Sequence, residues 1–195
     1  MHSAAPGPKL STSALHRVIR WVLLLNLGYF LCEFAVAREI GSVSLFADSI
    51  DFLEDSALNL LVLLALGWSA RNRAILARIL AGILLVPGLA TLWTAGQKFF
   101  APLPPAPVPL SLTAFGALLV NLTAALLLAR YRDHAGGLTK AAFLSARNDV
   151  LANLAIIAVG LITAFAWHSA WPDLLAGLGI AVMNADAARA VWRAA

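Results

Sequence analysis

The sequence predicts an all-α membrane protein, a six-transmembrane-helix bundle with its N- and C-termini cytoplasmic. Three observations predict it. First, 61% of the 195 residues are hydrophobic and only 12% are charged, against about 25% charged in an ordinary soluble domain. That is too little charge to coat a globule in water, and the chain is rich in what disordered segments lack. Second, the apolar residues fall into six runs, each near the roughly 20 residues that a spanning helix needs. Third, the basic residues are unevenly divided between the two sides those runs create.

The first run, 18–37, follows a basic cytoplasmic tail, 1–17. Asn26 and Glu33 lie two turns apart on one of its faces. Its last residues, Ala35-Val36-Ala37, resemble a signal-peptidase site. The polar interruptions suit a retained helix better than a cleaved leader. The second run, 43–68, holds four acids in its first half. The third, 75–97, contains Pro87, a site for a kink. An extended loop, Pro102 to Pro109, leads into the fourth run, 109–130, where Asn121 reads as an interhelical hydrogen bonder. The fifth and sixth runs cover 141–167 and 171–192. Short linkers favour antiparallel neighbours, so residues 18–195 read as one transmembrane domain.

Eleven of the fourteen Lys and Arg residues, from Lys9 to Arg193, fall on one side. Arg38 and Lys98 fall on the other, and Arg147 lies within the fifth run. The positive-inside rule then puts both termini in the cytoplasm. All six Trp residues lie at or beside predicted span ends, as an interfacial aromatic belt requires. The net charge of +4 comes from scattered basic pairs, which match anionic lipid head groups rather than nucleic acid. The single Cys32 cannot form an internal disulfide and reads as a small packing residue.

The acids carry the chemistry. A carboxylate at the bilayer centre costs about 2.5–3.5 kcal/mol on lenient insertion scales. Yet Asp48, Asp51, Glu54 and Asp55 sit inside the second run. On a helix, Asp48, Asp51, Asp55 and Asn59 share a stripe about 80° wide, with Glu54 to the side. Ionised carboxylates this close repel, so they must hold protons or share a cation. The competing reading is structural ion pairing with arginines. In the fifth run, Ser145, Asn148 and Asp149 share one face, within about 100°. Arg147 points about 160° away from Asp149. It is left to pair with Glu33 or Glu54, or to snorkel to the interface. Glu33 reads equally as a gate or proton relay and as a partner for Arg38. Ser145 and Asn153 read equally as functional groups and as small polar packing between helices. Glu39, Asp133 and Asp173 read as loop residues, and Asp186 as lying near the inner end of the sixth run. All four histidines, His2, His16, His134 and His168, read as tail or loop residues out of reach of the stripe.

At these residues the chain resembles a cation diffusion facilitator. That family has six spans, cytoplasmic termini, and a metal site built from a His/Asp-x-x-x-Asp pair on the second span and a similar pair on the fifth. Gly41-Ser42-Val43-Ser44-Leu45-Phe46-Ala47-Asp48 resembles the family's stretch leading into the first pair, and Asp51 and Asp55 fall on its ligand positions. Asp149 falls on the second position of the fifth-span pair. Glu33, Asn121 and Trp171-Pro172-Asp173 are also family-like. The resemblance covers residues 18–192. It departs at Ser145, which stands where the family has His or Asp. The implied site is three carboxylates and a hydroxyl, which Asp48, Asn148 or water could complete. The sequence stops three residues after the sixth run, so the soluble C-terminal domain of many relatives is not expected. A homodimer would then use the spans.

The resemblance implies a non-enzymatic, proton-coupled divalent-cation transporter with no permanently bound cofactor. It would be a multi-pass protein, placed in a bacterial inner membrane. Its partners would be the bilayer, the transported metal and protons, with no nucleic acid. An oxygen-only site leans toward Mn²⁺ or Fe²⁺, while Zn²⁺ and Co²⁺ also accept carboxylates. Two rivals stand beside this reading. One is a transport-inactive membrane partner with a decayed metal site. The other is a metal-dependent lipid transferase, whose Asp-Gly-x-x-Ala-Arg signature is missing because Asp48 is followed by Ser49.

Overall fold

The computed structural model describes residues 12–65, 68–131 and 137–194. It contains six α-helices: α1 Thr12–Ile40, α2 Val43–Ala65, α3 Ala70–Phe100, α4 Pro107–Ala129, α5 Gly137–Phe165 and α6 Trp171–Ala194. Each predicted run lies on one of them. Helix α1 begins within the stretch expected to be tail, taking in residues 12–17. Helix α3 is one continuous helix through position 87. Among the described residues there are no strands.

The boundaries follow local chemistry. Gly41 has φ +63°, the left-handed conformation that closes a helix C-terminus. Beside it, the Ser42 amide donates to the Ala37 carbonyl at 3.0 Å, which completes a Schellman-type stop. The Ser42 hydroxyl then accepts from the Leu45 amide at 3.2 Å, so the residue that ends α1 also caps α2. Helix α3 is capped by Ser69, whose hydroxyl accepts from the Asn72 amide at 3.3 Å. Helix α4 starts at Pro107, a residue suited to the first turn because its missing N–H has no partner there anyway.

Helix α2 packs against α1, α3, α5 and α6, while α4 packs against α1 and α5. Two apolar clusters bracket the interior. One gathers Ala37, Leu45, Ala47, Leu110, Ala114 and Ile156. The other gathers Ile19, Val22, Val62, Ala124, Leu128 and Ala146. Along α1, α2 and α4 the buried acids and asparagines fall between the two: Asn26 and Glu33, then Asp48 to Asn59, then Asn121. On α5, Asp149 and Asn153 lie at the same level, beside Ala152. The bundle is therefore layered apolar, polar, apolar.

Its exterior is the reverse of a soluble protein's. Leu24, Leu31, Leu112, Leu126, Leu151 and Phe165 are exposed, whereas Asp48 and Glu33 are fully buried. Residues 13–40, 107–129 and 142–165 form three helices long and apolar enough to cross a membrane. This is the pattern of an integral membrane protein, in which the apolar face meets lipid and polar groups turn inward.

Close helix approach depends on glycines at three places: Gly160 beside the Ser111 hydroxyl, Gly116 and Gly177. A Cβ at Gly116 would run into the Tyr29 hydroxyl, which donates to the Thr113 carbonyl at 2.7 Å and ties α1 to α4. At Gly177, a Cβ would lie 2.6 Å from the Val43 carbonyl carbon, which is backbone and cannot rotate away. Gly177→Ala must push α6 from α2. It is expected to destabilise by about 1–3 kcal/mol, as overpacking does, read as a lower melting temperature in detergent. An unchanged melting temperature would mean the two helices part freely.

Candidate metal centre

The polar layer is built mainly by α2. Its one-turn spacing puts Asp48, Asp51, Asp55 and Asn59 on the buried face. Asp48 is 0% exposed, Asp55 2% and Asp51 8%. Glu54, to the side of the stripe as expected, is half-buried. Asp149, on α5, is 8% exposed. Asp51 and Asp149 lie within electrostatic reach of each other, and Asp149 also feels Asp55, Asp48 and Glu54.

Asparagines from two other helices hold these acids, and a third asparagine backs one of them. Asn26 of α1 donates to Asp55 Oδ2 at 3.2 Å. Asn153 of α5 donates to Asp48 Oδ2 at 2.5 Å. Asn121 of α4 in turn donates to Asn153 Oδ1 at 3.1 Å, the interhelical bond its position predicts. Asn59 donates to the Asp55 carbonyl at 2.8 Å. Ser145 approaches the Asp55 carboxyl group from α5. Glu33 is fully buried and faces Asp48.

No cation neutralises this layer from within the described residues, where the one ion pair is Lys98 with Asp173, at another place in the bundle. Arg38 is exposed and does not pair with Glu33. Arg147 is exposed and donates to Asn148 Oδ1 at 3.4 Å. The structural ion-pair reading of the acids therefore fails for Arg38 and Arg147. Asn148 is itself exposed, turned away from the buried carboxylates it was expected to assist. His16 corrects another expectation: it lies within α1, not in a tail, and its Nε2 is buried with no hydrogen-bond partner. His168 lies in the loop before α6, while His2, Asp133 and His134 are outside the described residues.

Several acceptors in the layer lack a donor in good geometry. They are both oxygens of Glu33, Asp48 Oδ1, Asp55 Oδ1 and Asp149 Oδ2, and the amide oxygens of Asn26, Asn59 and Asn121. Buried oxygens of this kind are costly unless a proton or a cation satisfies them. Among the described residues, however, no group of three or more His, Cys, Asp or Glu side chains stands in an arrangement that could hold a metal ion. Asp55 is drawn toward Asn26 and Asp48 toward Asn153, so the carboxylates are spread along the layer.

A buried carboxylate layer inside a lipid-facing helical bundle defines a membrane protein that handles cations. The family profile of the cation efflux transmembrane domain matches residues 19–195. The chain belongs to this cation efflux, or cation diffusion facilitator, family, whose members transport metal cations across membranes and are not enzymes. The match spans nearly the same residues as the resemblance read over 18–192, and the lipid-transferase reading falls away at the family level.

The sequence reading missed the partners of the acids. Asn26 was placed on the face of Glu33, but its donation to Asp55 crosses to another helix. Asp173, read as a loop residue, is buried in the first turn of α6. The signal for Asp173 was its place beside Trp171 and Pro172 at a helix start, where a carboxylate is favoured.

Proposed function

We propose that this protein exports a divalent metal cation in exchange for protons, with Asp51, Asp55 and Asp149 as the metal ligands and Ser145 beside them. The observation that carries the reading is the buried set of carboxylates on α2 and α5 with donor-less oxygens and no counter-charge among the described residues. All six helices cross the bilayer in this reading, and the basic residues keep both termini cytoplasmic, in a bacterial plasma membrane.

The chemistry is competition. Carboxylates must shed protons to bind metal, so a bound metal and bound protons exclude each other at the same oxygens. Metal entering from the cytoplasm displaces protons, and protons reload the site once it opens outward. Binding draws Asp55 from Asn26 and brings it toward Asp51 and Asp149. Ser145 supplies a neutral oxygen or orients Asp55, and Asp48, Glu33 or water completes the set. An all-oxygen site favours Mn²⁺ or Fe²⁺, with Zn²⁺ and Co²⁺ also accepted.

The test is metal flux in proteoliposomes, run over a panel of divalent cations. Asp55→Ala and Asp149→Ala are each expected to abolish flux of the transported metal. A robust flux that survives both substitutions sinks the site assignment. The second reading, a transport-inactive partner, is favoured by Ser145 in a ligand position and by the spread of the carboxylates. Calorimetry separates the two, since the inactive partner binds no metal.

A further inference from the structure

Lys98 and Asp173 stand apart from the carboxylate layer and form the most densely bonded polar cluster in the described bundle. Asp173 is fully buried and Lys98 is 7% exposed. Asp173 Oδ1 accepts from the Ser42 hydroxyl at 2.7 Å, the Ser44 amide at 3.1 Å and the Ser44 hydroxyl at 2.6 Å. Its Oδ2 accepts from the Val43 amide at 2.9 Å and from Lys98 Nζ at 2.8 Å. Lys98 also donates to the Gly41 carbonyl at 2.6 Å. A helix normally leaves its first amides without partners. Here a carboxylate from α6 takes those of Val43 and Ser44, the Ser42 hydroxyl takes that of Leu45, and α3 supplies the counter-charge. The α2 entrance is thus shut by the start of α6 and the end of α3. Asp48 lies one turn beyond Ser44 on the same face.

We infer that Lys98 and Asp173 are positioning residues for transport: they clamp the α2 entrance closed, and the clamp must part for the carboxylate layer to open at that end. The inference rests on the transport reading of that layer. A carboxylate seated on a helix N-terminus is held by the helix dipole as well as by hydrogen bonds, so the clamp biases the bundle toward the closed state. Weakening it moves the equilibrium toward the open one.

The test uses the full chain in proteoliposomes with Cys32→Ser, which removes the native thiol, and Ala47→Cys as a reporter. Ala47 is fully buried between the clamp and Asp51. A membrane-impermeant maleimide is applied from the side of the Gly41 turn. The paired variant Lys98→Met/Asp173→Asn removes both charges together and leaves neither one stranded. It is expected to raise the modification rate at least about tenfold, as a minor open state becomes a major one. Lys98→Arg keeps the charge and should stay within about twofold of the parent. Ser44→Ala removes the hydroxyl's bond to Asp173 Oδ1 but leaves the backbone amide bond and the ion pair, and should give a smaller rise. This variant keeps the test valid if the paired one does not fold. Unchanged rates in folded variants overturn the clamp. Flux of Mn²⁺ or Zn²⁺ through Asp149→Ala is measured alongside. Clamp-dependent labelling with flux indifferent to Asp149→Ala upholds the clamp and sinks the ligand assignment. The reverse pattern overturns the clamp alone.

Discussion

Asp51→Asn lowers the apparent affinity for the transported cation by about 100-fold or more, beyond the 10–100-fold typical of losing an outer partner to a metal ligand. The substitution keeps size and shape and removes one negative charge from a layer that no cation among the described residues neutralises. A divalent ion then loses both a ligand oxygen's charge and the local potential that draws it in. Asn153→Leu provides the scale. Asn153 touches Asp48 and Asn121 but is not proposed as a ligand, so its loss should fall in the 10–100-fold range. Calorimetric titration of the purified protein reads both. The affinity of the parent should also decline as pH falls, since protons occupy the oxygens the metal needs. An Asp51→Asn protein that binds as tightly as the parent removes Asp51 from the site.

Lys98→Met alone destabilises the folded protein by about 3–5 kcal/mol, the usual cost of stranding one member of a buried ion pair. Asp173 keeps its donors from Val43, Ser42 and Ser44 but loses its counter-charge. The paired variant Lys98→Met/Asp173→Asn should recover much of that loss, because no isolated charge remains and the asparagine still accepts from α2. Thermal unfolding in detergent of the two single variants and the pair completes the cycle. Strict additivity would mean that the pair does not act as a unit.

The six helices were legible because each carries a mostly apolar run of about 20 residues, the length a spanning helix needs. The spacing of Asp48, Asp51 and Asp55 was legible too, since one helix fixes its own faces. What crossed between helices was not. Asn153 meets Asp48 over 105 positions of sequence, and Lys98 meets Asp173 over 75, and no period in either helix encodes those meetings. Asp173 in particular carries no local sign that it caps α2. Arg147 and Asn148 show the opposite limit. Placing Asn148 within about 100° of Asp149 on the helix wheel was not enough to put it on the buried side.

The apolar layers above and below the carboxylates also act as insulation. An electric potential across a membrane drops over dry, low-dielectric material, and here such material lies on both sides of a polar stratum. An ion that reaches the stratum through either apolar cluster has therefore crossed part of the membrane voltage. Moving one elementary charge through the full potential is worth about 2.3 kcal/mol per 100 mV. A divalent ion carried halfway feels about the same amount, which corresponds to roughly a fiftyfold change in occupancy. In the exchange proposed above, the voltage acts on the metal's charge less that of the protons it displaces, so it weights loading only to the extent that the two differ.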